Sequence, residues 1–294
     1  MRNFADRLAE SVRNKGTALC VGLDPRYVLL PKEVTGAAES AAAAMLAFNK
    51  EVIDIAAGEV PAVKVQVAFY ERYGWEGMKV FGETLRYARQ RGLMSVADVK
   101  RGDIGSTAEA YAEAYLRPGS PFSADAITVN PYLGEEGLRP FVETAAEAGR
   151  GVFVLVRTSN PSSDYVQDSG GEPVYLRVAE LVRELGEGKE GECGYSAVGA
   201  VVGATQGREM KVLRERLPNA FFLVPGYGAQ GGTAKDIPAA FDKEGLGAIV
   251  NSSRGIIHSY EGPAAGDWRG SIRRAIERSK EELRSCVRGT RASG

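Results

Sequence analysis

Short aliphatic and β-branched runs alternate with longer amphipathic stretches from one end of the chain to the other, the pattern of a parallel α/β architecture. Eight runs read as strands: 18–24 (ALCVGLD), 62–69 (AVKVQVAF), 94–99 (MSVADV), 126–130 (AITVN), 151–158 (GVFVLVRT), 196–204 (SAVGAVVGA), 221–226 (FFLVPG) and 247–253 (GAIVNSS). Each is followed by a helix-like segment or by room for one, clearest in ESAAAAMLAFNKEVIDIAAG, EGMKVFGETLRYARQRG and VYLRVAELVRELG. Eight strand–helix units in a chain of 294 residues predict an α/β fold of the (β/α)8 TIM-barrel class. A doubly wound sheet would show fewer strands and a glycine-rich turn after the first, whereas here the first strand runs into GLDPR. No composition break marks a boundary, so residues 1–294 are expected to form one barrel domain with an N-terminal helix and a short disordered C-terminal tail. On such a barrel the segments 160–173 and 227–236 come after strands and lie on the C-terminal face, where catalytic loops sit.

Charge and composition narrow the chemistry. With 37 basic and 38 acidic residues there is no global field to draw nucleic acid or an anionic membrane, so a small, locally recognised ligand is expected. The N-terminal MRNFADRLAESVRNKG lacks the apolar core of a signal peptide, and no later run is long enough to cross a bilayer, which predicts a cytoplasmic protein. Cys20, Cys193 and Cys286 are far apart and show no CxxC spacing, so neither a disulfide framework nor a thiolate metal site is predicted. One histidine, His258, is too few for a His-based metal site and does not suit a Ser-His-Asp triad. It lies four residues after Arg254 and is expected at the surface or at a helix start. Acid–base work therefore falls to Asp, Glu, Lys or Tyr.

Two strands carry charges where a barrel would use them. In ADVKRGDI, Asp98 and Lys100 stand two residues apart and point to the same side of a strand, with apolar Val99 left for the helices. Asp103 comes just past the strand end. An isolated Asp-x-Lys is also the pattern of a salt bridge capping a strand; three charges at the C-terminal end of one barrel strand favour a functional reading. In AVKVQVAF, Lys64 and Gln66 share a face opposite Val63, Val65 and Val67. A buried lysine needs a partner, and adjacent second and third strands would bring Lys64 beside Asp98. A Lys-Asp-Lys-Asp array results if Asp103 joins it. A snorkelling structural lysine is the other reading of Lys64.

VPGYGAQGG (224–232) and NSSRGI (251–256) come after the seventh and eighth strands, the usual barrel location of a phosphate site. Glycines there expose backbone N–H groups, Gln230 can donate from its amide, and Arg254 can bind phosphate in a bidentate manner.

The ordered set GLDPR, VKVQVAFYE, ADVKRGDIGST, TVNPYLG, TSNPSS, VPGYGAQGG and NSSRGI resembles the orotidine 5′-phosphate decarboxylases, in the branch whose signature reads DVKRGDI. The resemblance runs through most of the chain. It implies a cofactor-free and metal-free decarboxylase that converts orotidine monophosphate to UMP, acting as a homodimer with sites shared across the interface. By the same resemblance Asp24 and Lys64 would bind the ribose hydroxyls, Asp98 would lie against the substrate carboxylate, and Lys100 would protonate C6. Asp103, Ile104 and Thr107 would reach the neighbouring chain's site. Ser159 would meet the amide edge of the pyrimidine, and Tyr227, Gln230 and Arg254 the 5′-phosphate. Two alternatives stand beside this. Keto-gulonate-phosphate decarboxylases and hexulose-phosphate synthases share DxKxxD but use Mg2+ and resemble one another in a Glu ligand on the second strand, where this chain has Lys64. The second is a non-catalytic phosphate-binding barrel.

Overall fold

The computed structural model describes residues 1–227, 237–260 and 266–292, apart from the side chains of 288–292. Eight parallel strands close into a barrel in chain order: β1 (Leu19–Leu23), β2 (Ala62–Gln66), β3 (Met94–Arg101), β4 (Ala126–Val129), β5 (Gly151–Arg157), β6 (Ser196–Val202), β7 (Ala220–Val224) and β8 (Ala248–Ser252). β8 pairs with β1 to complete the ring. The (β/α)8 class is thus observed, with one instructive departure in the second run. Val67 has helical backbone (φ −57, ψ −35) and opens the short helix Ala68–Glu71, so VAF belongs to a turn rather than to the strand. Periodicity alone does not separate a buried strand from a buried helical turn.

Helices Ala41–Ala56, Gly74–Gln90, Gly105–Leu116, Glu135–Glu147, Val174–Gly186 and Gly207–Arg216 lie after β1 to β6, and Trp268–Ala292 after β8. After β7 the described residues hold only the 3-10 turn Pro238–Ala240. Apolar stripes such as Val80, Phe81 and Leu85 on one helix, or Leu138, Phe141 and Val142 on another, are buried against the strands. The last helix reaches Ala292, so the tail expected beyond it falls on residues 293–294, outside the described residues. No helix among the described residues is long and apolar enough to cross a membrane.

The expected N-terminal helix, Phe4–Lys15, is capped by Asn3, whose side chain accepts from the Ala5 amide at 2.7 Å, and is stopped by Gly16 in the left-handed region at φ 60. It docks onto the strand starts. Phe4 meets Phe153 edge-on at 5.9 Å, and a side chain at Gly151 would collide with the Phe4 ring at 2.3 Å. Beside it Asp125 is buried, ion-paired with Arg7 at 2.7 Å and with Arg150, and bonded by the Ser95 amide at 3.0 Å. This network braces the N-terminal end of the barrel.

Candidate active site

The C-terminal strand ends open on a cavity of about 430 Å3 whose wall includes Asp24, Lys64, Asp98, Lys100, Ser159, Tyr227 and Arg254. Seven residues singled out in the sequence are therefore brought together. Asp103, Ile104 and Thr107 are not on this wall. Asp103 accepts from the Ile104 amide at 2.9 Å, Ile104 is 54% exposed, and Thr107 is exposed on the next helix. Within one chain the fourth charge of the expected array stands apart. Gln230 lies outside the described residues.

Asp98 is the hub. Its Oδ2 accepts from Lys64 Nζ at 2.7 Å and Gln66 Nε2 at 2.9 Å, while Oδ1 accepts from Lys100 Nζ at 2.5 Å and Thr128 Oγ1 at 2.9 Å. The side chains of Lys64 and Asp98 are 5% and 8% exposed, and that of Lys100 is 44% exposed. Burial by itself would raise the Asp98 carboxyl, but Lys64 and Lys100 outweigh it and hold the group well below the usual carboxylate range. Burial would likewise discharge Lys64; Asp98, and then Asp24, overcome it and keep the ammonium charged. Both ions of the pair are fixed in place.

The strand register explains the hub. Gln66 stands opposite Asp98 and Lys64 opposite Val96, so Lys64 reaches diagonally toward the C-terminal end to meet the carboxylate. Simple alternation predicts that Asp98 and Lys100 share a side, and their side chains do meet. The backbone reason is different. Lys100 has φ 47, the one positive φ at a non-glycine among the described residues, and the β3–β4 register slips between Ala97 and Arg101.

Ser159 is seated by its neighbours. After β5 the segment folds back through the helix Asp164–Gln167, where Gln167 accepts from the Thr158 amide at 3.0 Å and Asp168 pairs with buried Arg157 at 3.0 Å. Gln206 donates to the Thr158 carbonyl at 3.1 Å. At the end of β6, Gly203 admits Ser159: a Cβ there would stand 2.8 Å from the serine Cβ.

The phosphate end expected from the sequence holds Arg254 at the start of the short helix Arg254–Ile257. Tyr227 is buried and its hydroxyl donates to Glu282 at 2.7 Å, so this hydroxyl is already engaged. Buried Asp24 Oδ1 and Asn251 Oδ1, both from residues on the cavity wall, have no hydrogen-bond partner among the described residues.

His258, expected at the surface or at a helix start, is half-buried at the C-terminal end of the helix Arg254–Ile257 and in the cavity wall, where its ring stacks on Phe48 at 6.1 Å. Tyr260 gives its hydroxyl proton to Leu29 O at 3.0 Å, so it can only accept from His258 Nδ1, 3.3 Å away. Burial, then Arg26 and Arg254, push the imidazole down to about 4. Thr128, Asn251 and His258 are among the residues of this wall to which sequence reasoning assigns no role. For Thr128 a signal exists: it is the one polar residue in the strand AITV.

Residues 17–267 match the family described as orotidine 5′-phosphate decarboxylase / HUMPS. The chain is 46% identical to the orotidine 5′-phosphate decarboxylase of Rhodopirellula baltica, over 97% of this chain and 100% of the relative. Identity to that of Clostridium acetobutylicum is 42%, covering 89% and 91%. Among solved structures it is similar to the OMP decarboxylase of Leishmania donovani, with a TM-score of 0.75 and 33% identity over 97% of this chain and 99% of the other.

Proposed function

The chain belongs to the orotidine 5′-phosphate decarboxylase / HUMPS family, and from that membership we propose that it converts orotidine 5′-phosphate to UMP and CO2, a carbon–carbon lyase step of pyrimidine biosynthesis. The observation that carries the reading is a buried, ionised Asp98 held between two lysines at the base of an open cavity. Loss of CO2 breaks the bond between C6 and the carboxylate and leaves the electron pair on C6. The ring delocalises that pair poorly, so catalysis needs positive charge where the negative charge develops. Lys100 supplies it, then transfers a proton to C6 and recovers one from water. One proton is consumed for each CO2 released. Asp98 lies against the substrate carboxylate; two like charges about 4 Å apart at an effective dielectric of 20 repel by roughly 4 kcal/mol, a repulsion relieved as CO2 leaves.

Asp24 Oδ1, buried without a partner among the described residues, suits a ribose hydroxyl, with Lys64 beside it. Ser159 faces the pyrimidine amide edge. Arg254, with Gln230 and the backbone at Tyr227, binds the phosphate, whose remote binding energy closes the loops over the base. Asp103, Ile104 and Thr107 complete the site of a second copy in a homodimer. Two features support this: none of the three lines its own cavity, and Ile104, Tyr132 and Leu133 expose apolar surface (54%, 84% and 43%) on the loops after β3 and β4. Lys64, standing where the magnesium-dependent relatives resemble one another in a Glu, supports a reaction without metal; the proposed activity needs no organic cofactor and, as a step of pyrimidine biosynthesis, is consistent with the cytoplasm.

Purified protein treated exhaustively with EDTA is expected to consume orotidine 5′-phosphate, monitored by its absorbance, at the untreated rate. Activity lost with EDTA and restored by Mg2+ would move the reading to the magnesium branch. No consumption under either condition would leave a phosphate-binding barrel without catalysis.

A further inference from the structure

Lys100 holds a backbone conformation that L residues rarely adopt, at φ 47, and something must keep it there. Where the β3–β4 ladder slips, β3 advances from Ala97 to Arg101 while β4 advances only from Ile127 to Val129. The backbone N–H of Lys100 falls in that gap. It donates instead to the side chain of Thr128, with N to Oγ1 at 3.0 Å, and the backbone pairing resumes at Asn130 N to Arg101 O, 2.8 Å. The same hydroxyl spends its proton on Asp98 Oδ1, at 2.9 Å. Thr128 is 1% exposed, so in the wild-type chain its hydroxyl is committed to these two partners rather than shared with bulk solvent.

We infer that Thr128 is a positioning residue: its one hydroxyl fixes the kinked backbone of Lys100 and the orientation of Asp98 together, and so sets where the proton donor stands. A hydroxyl is the smallest side-chain group that accepts and donates at once. Valine fills the same volume but leaves the Lys100 N–H orphaned and removes a donor from Asp98. The chain then relaxes toward extended backbone at residue 100, and the ammonium swings off the line to the reacting carbon. Substrate binding, made by the ribose, base and phosphate contacts, does not depend on that line. The defect belongs to turnover.

The inference rests on the proposed decarboxylation, and wild-type turnover of orotidine 5′-phosphate is the control that tests that reading separately. With wild type active, Thr128→Val is expected to lower kcat about 100-fold, the loss that a misplacement of about 1 Å carries. KM and the inhibition constant of UMP should stay within about threefold of wild type. Thr128→Ser, which keeps the hydroxyl and loses the methyl, should recover most of kcat. Should Thr128→Val not fold, as judged by circular dichroism and UMP binding, Thr128→Ala against Thr128→Ser isolates the hydroxyl in the same way. An unchanged kcat in the variant lacking the hydroxyl, a rise in KM with kcat intact, or a Ser variant as impaired as Val or Ala would each overturn the inference. An inactive wild type would instead sink the decarboxylase reading.

Discussion

Asp98→Asn removes one charge and almost no volume, and its cost in stability can be worked from the contacts of the carboxylate. The Lys64–Asp98 pair is 2.7 Å long with both side chains under a tenth exposed. At an effective dielectric of 20 its attraction is about 6 kcal/mol, set against the desolvation of both ions. The Lys100 pair adds little, because that ammonium is 44% exposed and screened. Removing one partner of a buried pair costs roughly 3–5 kcal/mol, since the other charge is left behind. Asp24 still acts on Lys64, which places the expected loss at the lower end, about 3 kcal/mol. For a chain of 294 residues, an unfolding entropy of roughly 2.1 cal/mol/K per residue converts this to a fall in Tm of about 5 °C. The Asp98 carboxyl is depressed in the fold, so its contribution is present above the unfolded carboxylate pKa and is lost as pH falls through the folded value; at neutral pH it is whole. Urea unfolding at pH 7 measures the effect directly. The double variant Asp98→Asn with Lys64→Met, which buries no charge, should regain much of the loss. An Asp98→Asn protein within about 0.5 kcal/mol of wild type would refute the claim that Lys64 depends on this carboxylate.

The geometry carries two further expectations. If Asp103 serves the partner's site, mixing inactive Lys100→Ala and Asp103→Ala proteins under subunit exchange should restore about a quarter of wild-type activity, because half the dimers are mixed and each holds one intact site. A mixture that stays dead after exchange is verified by mass spectrometry places Asp103 in its own chain. His258, held near 4 against about 6.5 in the unfolded chain, contributes stability that is full above the unfolded pKa and falls away as pH drops toward 4, by up to about 3 kcal/mol. His258→Gln should therefore show a flatter stability profile than wild type over that window, and superimposable profiles would contradict the half-buried neutral imidazole.

What is legible in the sequence is what local pattern encodes. Alternating apolar runs locate all eight strands, and the strand-two face carrying Lys64 and Gln66 is readable because β2 is regular through Gln66. The errors sit where pairing partners decide. VAF at 67–69 reads as strand by composition and is helical because the chain must turn out of the barrel there. Lys100 meets Asp98 through a register slip that depends on β4, and no local alternation contains that information. His258 escapes a sequence reading because its burial comes from Phe48 and Tyr260, one distant in sequence and one that reads as an ordinary loop tyrosine. Arg157 reads as part of a strand end, although a buried arginine gripping Asp168 is what closes the segment after β5.

The different burial of the two lysines divides their work. An ionised carboxylate has about four acceptor positions, and on Asp98 Lys64, Gln66, Lys100 and Thr128 fill four. A substrate group arriving beside Asp98 therefore finds no vacant acceptor to bind and meets only its charge. For a neutral or cationic group that position offers little; for a carboxylate it is repulsive unless a donor turns toward it. Lys64, with a side chain 5% exposed, has no solvated alternative and stays on Asp98 as the fixed counter-charge. Lys100, nearly half exposed, can leave its bond to Asp98 without stranding a buried ion, because water solvates it on the way. In the proposed reaction Lys100 would be the donor of the four free to follow charge from the carboxylate of the substrate to the carbon that loses it. Asp98 holds Lys100 near at 2.5 Å, and in the proposed reaction the proton Lys100 gives up would be replaced from the solvent side on which it already stands.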